Sequence, residues 1–267
     1  MNIFRKAAAL ATAAALFAGF GAASAGAQTL EAVKSRGTIN VGMLVDFPPF
    51  GILDTSGQPD GYDADVAKLL AKDLGVELKL VPVTGPNRIP YLLSGQVDVL
   101  VASLGITEER AKQVDFSQPY AGIEIFLFGE NDMDVPDAAA LAGKSVGVAR
   151  ASTQDTAITK IAPEGTNIQR FDDDASAVQA LLSGQVPLIG ASNTVVAQVE
   201  AVRPDTYDTK FSLSQQKQGI ATRPGSTDLM AAVNDFLTKA KQDGALNELH
   251  QKWLDAPLPE FIANTKN

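Results

Sequence analysis

The chain has 267 residues, a net charge of −9, no cysteine and one histidine, His250. Without cysteine there is no disulfide framework, thiolate metal site or cysteine nucleophile. A lone histidine speaks against Ser-His-Asp chemistry and histidine metal sites, and the acidic balance speaks against nucleic acid.

Arg5 and Lys6 precede an apolar run from Ala7 to Phe20, and Ala23-Ser24-Ala25 and Ala25-Gly26-Ala27 each fit a small-x-small cleavage site. That is the layout of a secretory signal peptide, expected over residues 1–27, and the run is short of the roughly 20 residues that span a bilayer. No cysteine follows it for lipid attachment, so a soluble exported protein is expected. The remaining length suits two domains, with cores large enough to hold without disulfides.

Thr38 to Leu44 reads as a buried strand ended by Asp46-Phe47-Pro48-Pro49-Phe50, since a proline pair cannot continue a ladder. Asp63 to Leu74 is expected to be a helix, with Asp63 capping its start and Gly75 ending it. Val76 to Val81 reads as a half-exposed strand, Asn87 to Ser94 as a short helix, and Val97 to Ala102 as an apolar strand. Thr107-Glu108-Glu109-Arg110 begins another helix, with a capping hydroxyl and first-turn acids. The pattern then restarts. Strands are expected at Ser145 to Ala149, Asn167 to Phe171, Val186 to Ile189 and Gly219 to Thr222. Helices are expected after Ser152 or Thr153, and at Ala175 to Ser183, Thr194 to Val202, Thr227 to Lys241 and Leu246 to Leu254. Alternating strands and helices predict parallel sheets of an α/β class.

One segment recurs. Leu92-Leu93-Ser94-Gly95-Gln96-Val97-Asp98-Val99-Leu100-Val101-Ala102-Ser103 and the twelve residues from Leu181 to Ser192 share eight identities. Both read as helix end, tight turn and buried strand, so two lobes of like topology are expected. Ser103 and Ser192 then stand at carboxyl ends of strands, where open α/β sheets bind ligands, and two such ends facing one another form a cleft.

Several residues are candidates for that cleft. Phe47 is expected to stack on a ligand with Phe50 behind it, the alternative being ordinary core. The stretch from Ser103 to Arg110 offers a hydroxyl, turn amides including Gly105, and a guanidinium, which is what a carboxylate needs; Arg110 could instead pair with a neighbouring glutamate. Ser152 and Thr153 open a helix in the second lobe, as ligand donors, as caps, or as both. Arg88 sits at a helix start, where its charge opposes the dipole, so it binds an anionic group or points to solvent. Asp172-Asp173-Asp174, and Asp132 with Asp134, lack the spacing of a calcium loop and are expected to be solvated turns; no metal or cofactor is implied.

Together these segments resemble the polar amino-acid-binding proteins of bacterial ABC importers, solute-binding protein family 3. Asp46 to Phe50, Gly61-Tyr62-Asp63-Ala64-Asp65, Gly95 to Arg110, Phe116-Ser117-Gln118-Pro119-Tyr120 and Gly143 to Val148 match in order and spacing, within a resemblance from about Leu30 to Leu254. It implies an α/β, two-lobed Venus-flytrap periplasmic binding protein fold with two crossover strands, near Ala121 to Phe126 and Ser212 to Gly219. Lobe 1 would comprise 28–121 and 219–267, and lobe 2 residues 122–218. Arg110 would clamp an α-carboxylate with donors from Ser103, Gly105 and Thr153, Phe47 would stack on the ligand, and Arg88, in a stretch similar to acidic-amino-acid binders, suits a distal carboxylate. Three positions depart from the family. Ser192, followed by Asn193, stands where an Asp usually anchors the ligand ammonium, so Asp46 or Asp155 supplies that charge or the ligand has no ammonium. Leu44 replaces the acid of cation-selective members, and Ala151 replaces a common glycine.

The expected function is a periplasmic binding protein, monomeric, that delivers an acidic or polar amino acid to the membrane subunits of an ABC importer. The alternatives are a binder of a non-amino carboxylate and, on the same scaffold, a lyase or dehydratase. The chain is not expected to be an enzyme, because Ser192-Asn193-Thr194 offers no acid or base and His250 lies in the last helix.

Overall fold

The computed structural model describes residues 27–265. The expected export signal lies outside the described residues except for Ala27. A first helix, α1 (Leu30–Arg36), ends on Gly37 in the left-handed region and turns into β1 (Thr38–Leu44). A two-stranded hairpin, β2 (Ile52–Leu53) and β3 (Pro59–Asp60), leads to α2 (Tyr62–Leu74). Then come β4 (Glu77–Val83), α3 (Arg88–Leu93), β5 (Val99–Leu100), α4 (Glu108–Ala111) and β6 (Asp115–Glu130). The second series follows: β7 (Ser145–Ala149), α5 (Thr153–Ile161), β8 (Asn167–Phe171), α6 (Asp174–Leu182), β9 (Leu188–Ser192) and α7 (Asn193–Val202). The chain closes with β10 (Tyr207–Thr222), α8 (Thr227–Gln242), α9 (Ala245–Leu254) and α10 (Glu260–Ala263).

The repeat seen in the sequence is a repeat of topology. In one half β1 is flanked in parallel by β4 and β5; in the other β7 is flanked in parallel by β8 and β9. The two recurring segments are the turns and strands around β5 and β9, with Gly95 (φ 78°) and Gly184 (φ 73°) at equivalent turns. A left-handed residue there explains why both turns are Ser-Gly.

The halves do not form two separate sheets, as strand-helix alternation alone suggests. All eight main strands form one sheet in the order β4-β1-β5-β10-β6-β9-β7-β8. The reason is the pair β6 and β10, each of 16 residues, antiparallel to one another along almost their whole length. At about 3.3 Å per residue each spans on the order of 50 Å, enough to serve both halves. Gln218↔Ala121 and Gln216↔Ile123 lie midway along this ladder, where the chain passes between the halves.

After β10 the chain returns to the first half. Trp253 Nε1 and Lys252 Nζ donate to Asp65 Oδ2 at 2.8 and 2.6 Å, which ties α9 to α2. Asp63 does not cap α2. Gly61 precedes the helix at φ 123°, because a Cβ there would lie 2.5 Å from the Phe50 carbonyl oxygen. That leaves the Asp63 carboxylate inside the first half, fully buried, for another use.

Candidate functional site

A cleft between the halves is lined from one side by Leu44, Asp46, Phe47, Gly85, Arg88 and Ser103, and from the other by Ala149, Arg150, Ser152, Thr153, Gln154 and Asp172 to Asp174. Its two walls are the carboxyl ends of β1 and β5 and of β7 and β8, as the doubled topology requires. The walls touch. Arg110 Nη2 donates to the Ala151 carbonyl at 2.9 Å, and Gln198 Nε2, on α7, donates to the Pro48 carbonyl at 2.8 Å. A Cβ on Gly85 would stand 2.9 Å from the Arg150 carbonyl oxygen.

Phe47 sits in the cleft wall, 5.4 Å from Phe50 with the rings nearly parallel, and Phe50 is fully buried behind it. Phe50 meets the edge of Tyr62, which stacks on Tyr120. This aromatic column leads from the cleft to Asp63. Tyr120 donates its hydroxyl hydrogen to Asp63 Oδ1 at 2.7 Å, and Ser103 donates its own to Asp63 Oδ2 at 2.9 Å. The Ser103 amide donates to the Tyr120 oxygen at 3.1 Å. Burial pushes the Asp63 carboxyl up to about 6, against the two hydroxyl donors that favour its charge.

This network corrects the role expected of Ser103. A serine has one hydroxyl hydrogen and one amide hydrogen, and both are engaged behind the wall. Ser103 lines the cleft with lone pairs only, so it accepts from a ligand and does not donate to a carboxylate. Its backbone, at φ 47°, is turned into the left-handed region that aims Oγ this way.

Arg110 reaches across between the halves. Thr107 caps α4 by accepting from the Arg110 amide. The guanidinium folds back, with Nη1 donating to the Gly105 carbonyl at 2.9 Å and Nη2 crossing to Ala151. It is buried and forms no ion pair with Glu108, Glu109 or any other described acid, so the surface-pair alternative does not occur. Burial pushes its pKa down to about 9, and Arg88 adds to this. Ala151, at the family's glycine position, adopts φ 57°, the conformation for which glycine is the usual choice. A Cβ on Gly105 would lie 2.1 Å from Gln216 Nε2, so the end of that side chain would have to move aside. Gln216 also accepts from the Thr153 hydroxyl.

Arg88 points into the protein rather than to solvent. It is buried, its Nη1 donates to the Ala102 carbonyl at 2.8 Å, and it too forms no ion pair among the described residues. Burial lowers its pKa to about 10, opposed chiefly by the charge of Asp174. Ser152 caps α5, accepting from the Asp155 amide at 3.0 Å, and also lines the cleft.

Four expectations are corrected here. Ser192 has no exposed surface and is not part of the cleft wall; its oxygen caps α7, accepting from the Val195 amide at 3.3 Å, and it shares a hydrogen with Thr194 Oγ1. Asn193 accepts from the Glu124 amide and lines a separate groove with Pro49, Gln198 and His250. Asp155 is bound by Arg170 Nε at 2.9 and 3.1 Å and does not line the cleft. Asp172 to Asp174 are not simply a solvated turn. Asp173 caps α6, and Asp174, the first residue of that helix, lines the cleft with its carboxyl pushed up to about 7 by burial and then by Asp46. Asp46 is raised likewise, by burial and then by Asp173. A sequence signal for Asp174 existed: an acidic run between a strand and a helix of the repeated unit lies at the binding end of the sheet.

The residues from 39 to 256 match the family model described as bacterial extracellular solute-binding proteins, family 3. The L-cystine-binding protein TcyJ of Escherichia coli (strain K12) is 33% identical over 230 residues, 85% of this chain and 86% of that protein. The ABC transporter glutamine-binding protein GlnH of Bacillus subtilis (strain 168) is 34% identical over 231 residues, 85% of this chain and 84% of that protein. Among solved structures, a mutant of ArgBP from T. maritima superposes with a TM-score of 0.78 at 34% identity, over 86% of this chain and all of that one.

Proposed function

The chain belongs to the bacterial extracellular solute-binding proteins, family 3, and we propose that it is an exported periplasmic protein that captures an acidic or polar amino acid and delivers it to the membrane subunits of an ABC importer. One observation carries the ligand class: Arg88, which lines the cleft, and Arg110, which reaches across to Ala151 of its far wall, are buried guanidiniums whose hydrogen-bond partners among the described residues are backbone carbonyls alone. Burying a guanidinium is costly, and a ligand carboxylate supplies the charge that carbonyl dipoles do not. Relatives named for binding L-cystine and glutamine support an amino acid.

Lobe 1 is assigned to 28–121 and 219–267 and lobe 2 to 122–218, with β6 and β10 as the hinge. The chain works as a monomer: ligand enters the open cleft, the lobes bend together, and the closed form is what the importer reads. Arg110 and the cross-cleft bond to Ala151 couple ligand to closure. Leu44 stands in the cleft wall where the resemblance places an acid in cation-selective members, and Asp46 is the acid that lines the cleft on that side. Export rests on the N-terminal signal pattern.

Isothermal titration with L-glutamate, L-glutamine, L-cystine, L-arginine and small carboxylates tests the reading. We expect micromolar or tighter binding, about −8 kcal/mol or better, for at least one amino acid; heat from none of them refutes it. A non-amino carboxylate is the second reading, favoured by Ser192 at the family's acid position, and tight binding of glutarate over glutamate establishes it. A lyase or dehydratase requires turnover of a prephenate-like substrate, which absorbance spectroscopy would show.

A further inference from the structure

An amino-acid ligand brings an ammonium as well as a carboxylate, and the inference below rests on that reading. The family's usual anchor for the ammonium, an acid at the end of β9, is replaced here by Ser192, whose oxygen is engaged in capping α7 and which has no exposed surface. A relocated anchor has to be an acid that lines the cleft. Asp155, held by Arg170, does not.

We propose that Asp174, in the first turn of α6, binds the ligand's ammonium, with Asp46 facing it from the end of β1. Helices α3 and α6 are equivalents in the two halves, each connecting an outer strand to the strand of the repeated segment. Both begin at the cleft, and they present opposite charges there, Arg88 from one and Asp174 from the other. If these two served only each other, a direct ion pair would be expected. None lies within 4 Å; Asp174 has one side-chain partner, the neutral Gln154 Nε2 at 3.2 Å. Arg110, buried and reaching across the halves to the Ala151 carbonyl without a carboxylate partner among the described residues, is a second and independent sign of a ligand. The cleft is lined by a cation, Arg88, and by two acids, Asp174 and Asp46, so it offers both signs of charge to a zwitterion. Burial and the neighbouring Asp46 hold the Asp174 carboxyl near 7, and a bound cation relieves that cost by favouring its ionised form. Ser103, which offers the cleft only an acceptor, is suited to a ligand N–H as well.

The test compares amino and des-amino ligand pairs on the full mature chain: glutamate with glutarate, glutamine with glutaramate, arginine with 5-guanidinopentanoate, cystine with 3,3′-dithiodipropionate. For whichever pair binds, the wild type is expected to prefer the amino member at least a hundredfold at pH 8. Asp174→Asn should cut that preference to less than about tenfold, mainly by weakening the amino member, since a charged hydrogen bond to a ligand carries about this discrimination. Circular dichroism and melting confirm that the variant is folded, and Asp174→Glu should restore part of the preference. A preference that survives Asp174→Asn overturns the proposal and leaves amino-acid capture standing. Equal weakening of both members also overturns it, because Asp174 would then act only in closing the lobes. A wild type that prefers the des-amino member, or binds neither member of any pair, removes the amino-acid reading and this proposal with it.

Discussion

The buried Asp63 makes stability depend on pH in a direction opposite to that of an ordinary salt-bridged carboxylate. Its carboxyl stands near 6 in the folded chain against an ordinary 3.8. Between those two values the folded protein keeps a proton that the unfolded chain has released, so stability rises as pH falls through this window. The difference of roughly two pH units corresponds to about 3 kcal/mol that the charged form costs at pH 8 and that is recovered near pH 4. Asp174 contributes in the same direction, whereas Asp65, stabilised in its charged form by Lys252, Lys68 and Trp253 against its own burial, contributes in the opposite one. The total curve therefore mixes several groups, and Asp63→Asn isolates one. Asparagine keeps the acceptor for Tyr120, and its amide can donate to Ser103 Oγ, so the fold is retained without the charge. Urea unfolding followed by Trp253 fluorescence at a series of pH values would give the two stability curves. The wild type should gain about 3 kcal/mol on the variant between pH 8 and pH 4. Parallel curves would refute the reasoning, since they would mean that Asp63 does not hold its proton more tightly in the folded state. The same variant should release the Ser103 hydroxyl hydrogen toward the cleft and relax discrimination between amino and des-amino ligands.

Arg110→Lys replaces a fork that spans Gly105 and Ala151 by a single point donor, and should weaken ligand binding ten- to a hundredfold by calorimetry; unchanged affinity would remove Arg110 from the clamp. Gly51→Ala would place a Cβ 2.0 Å from the Leu44 carbonyl oxygen, a backbone clash, and should cost more than about 2 kcal/mol, read as a fall in Tm or as loss of soluble protein. Gln198→Ala removes the bond from α7 to Pro48 across the cleft. Because this bond is exposed, the expected loss of affinity is only a few-fold, with a larger radius of gyration of the ligand-free protein by X-ray scattering; no change in either would mean that the bond does not help to hold the halves together.

Much of this protein was legible in the order of its residues. β1, β7 and β8 fall where hydrophobic runs bounded by turn residues place them, and Thr107 and Ser152 cap the helices they were expected to cap. These features are decided by a few neighbouring residues, through burial periodicity and hydrogen bonds to the nearest amides. The duplicated Leu-Leu-Ser-Gly-Gln-Val segment disclosed the doubled topology for the same reason, since each copy is a local unit. Less was legible at β6 and β10, whose length comes from pairing with each other across residues far apart in sequence.

Side-chain roles in the cleft were another matter. Ser103, Ser192, Asp63 and Asp174 are all small polar residues near element ends, and the sequence alone gives them similar standing. Only the tertiary structure separates them: it binds both Ser103 hydrogens to Asp63 and Tyr120, turns Ser192 into a cap, buries Asp63, and brings Asp174 opposite Arg88. The sequence by itself determined most of the elements and their repetition. What the three-dimensional packing decided is which hydrogens and charges are left facing the cleft, because a hydroxyl has one hydrogen to give and its recipient lies 40 residues away in the chain.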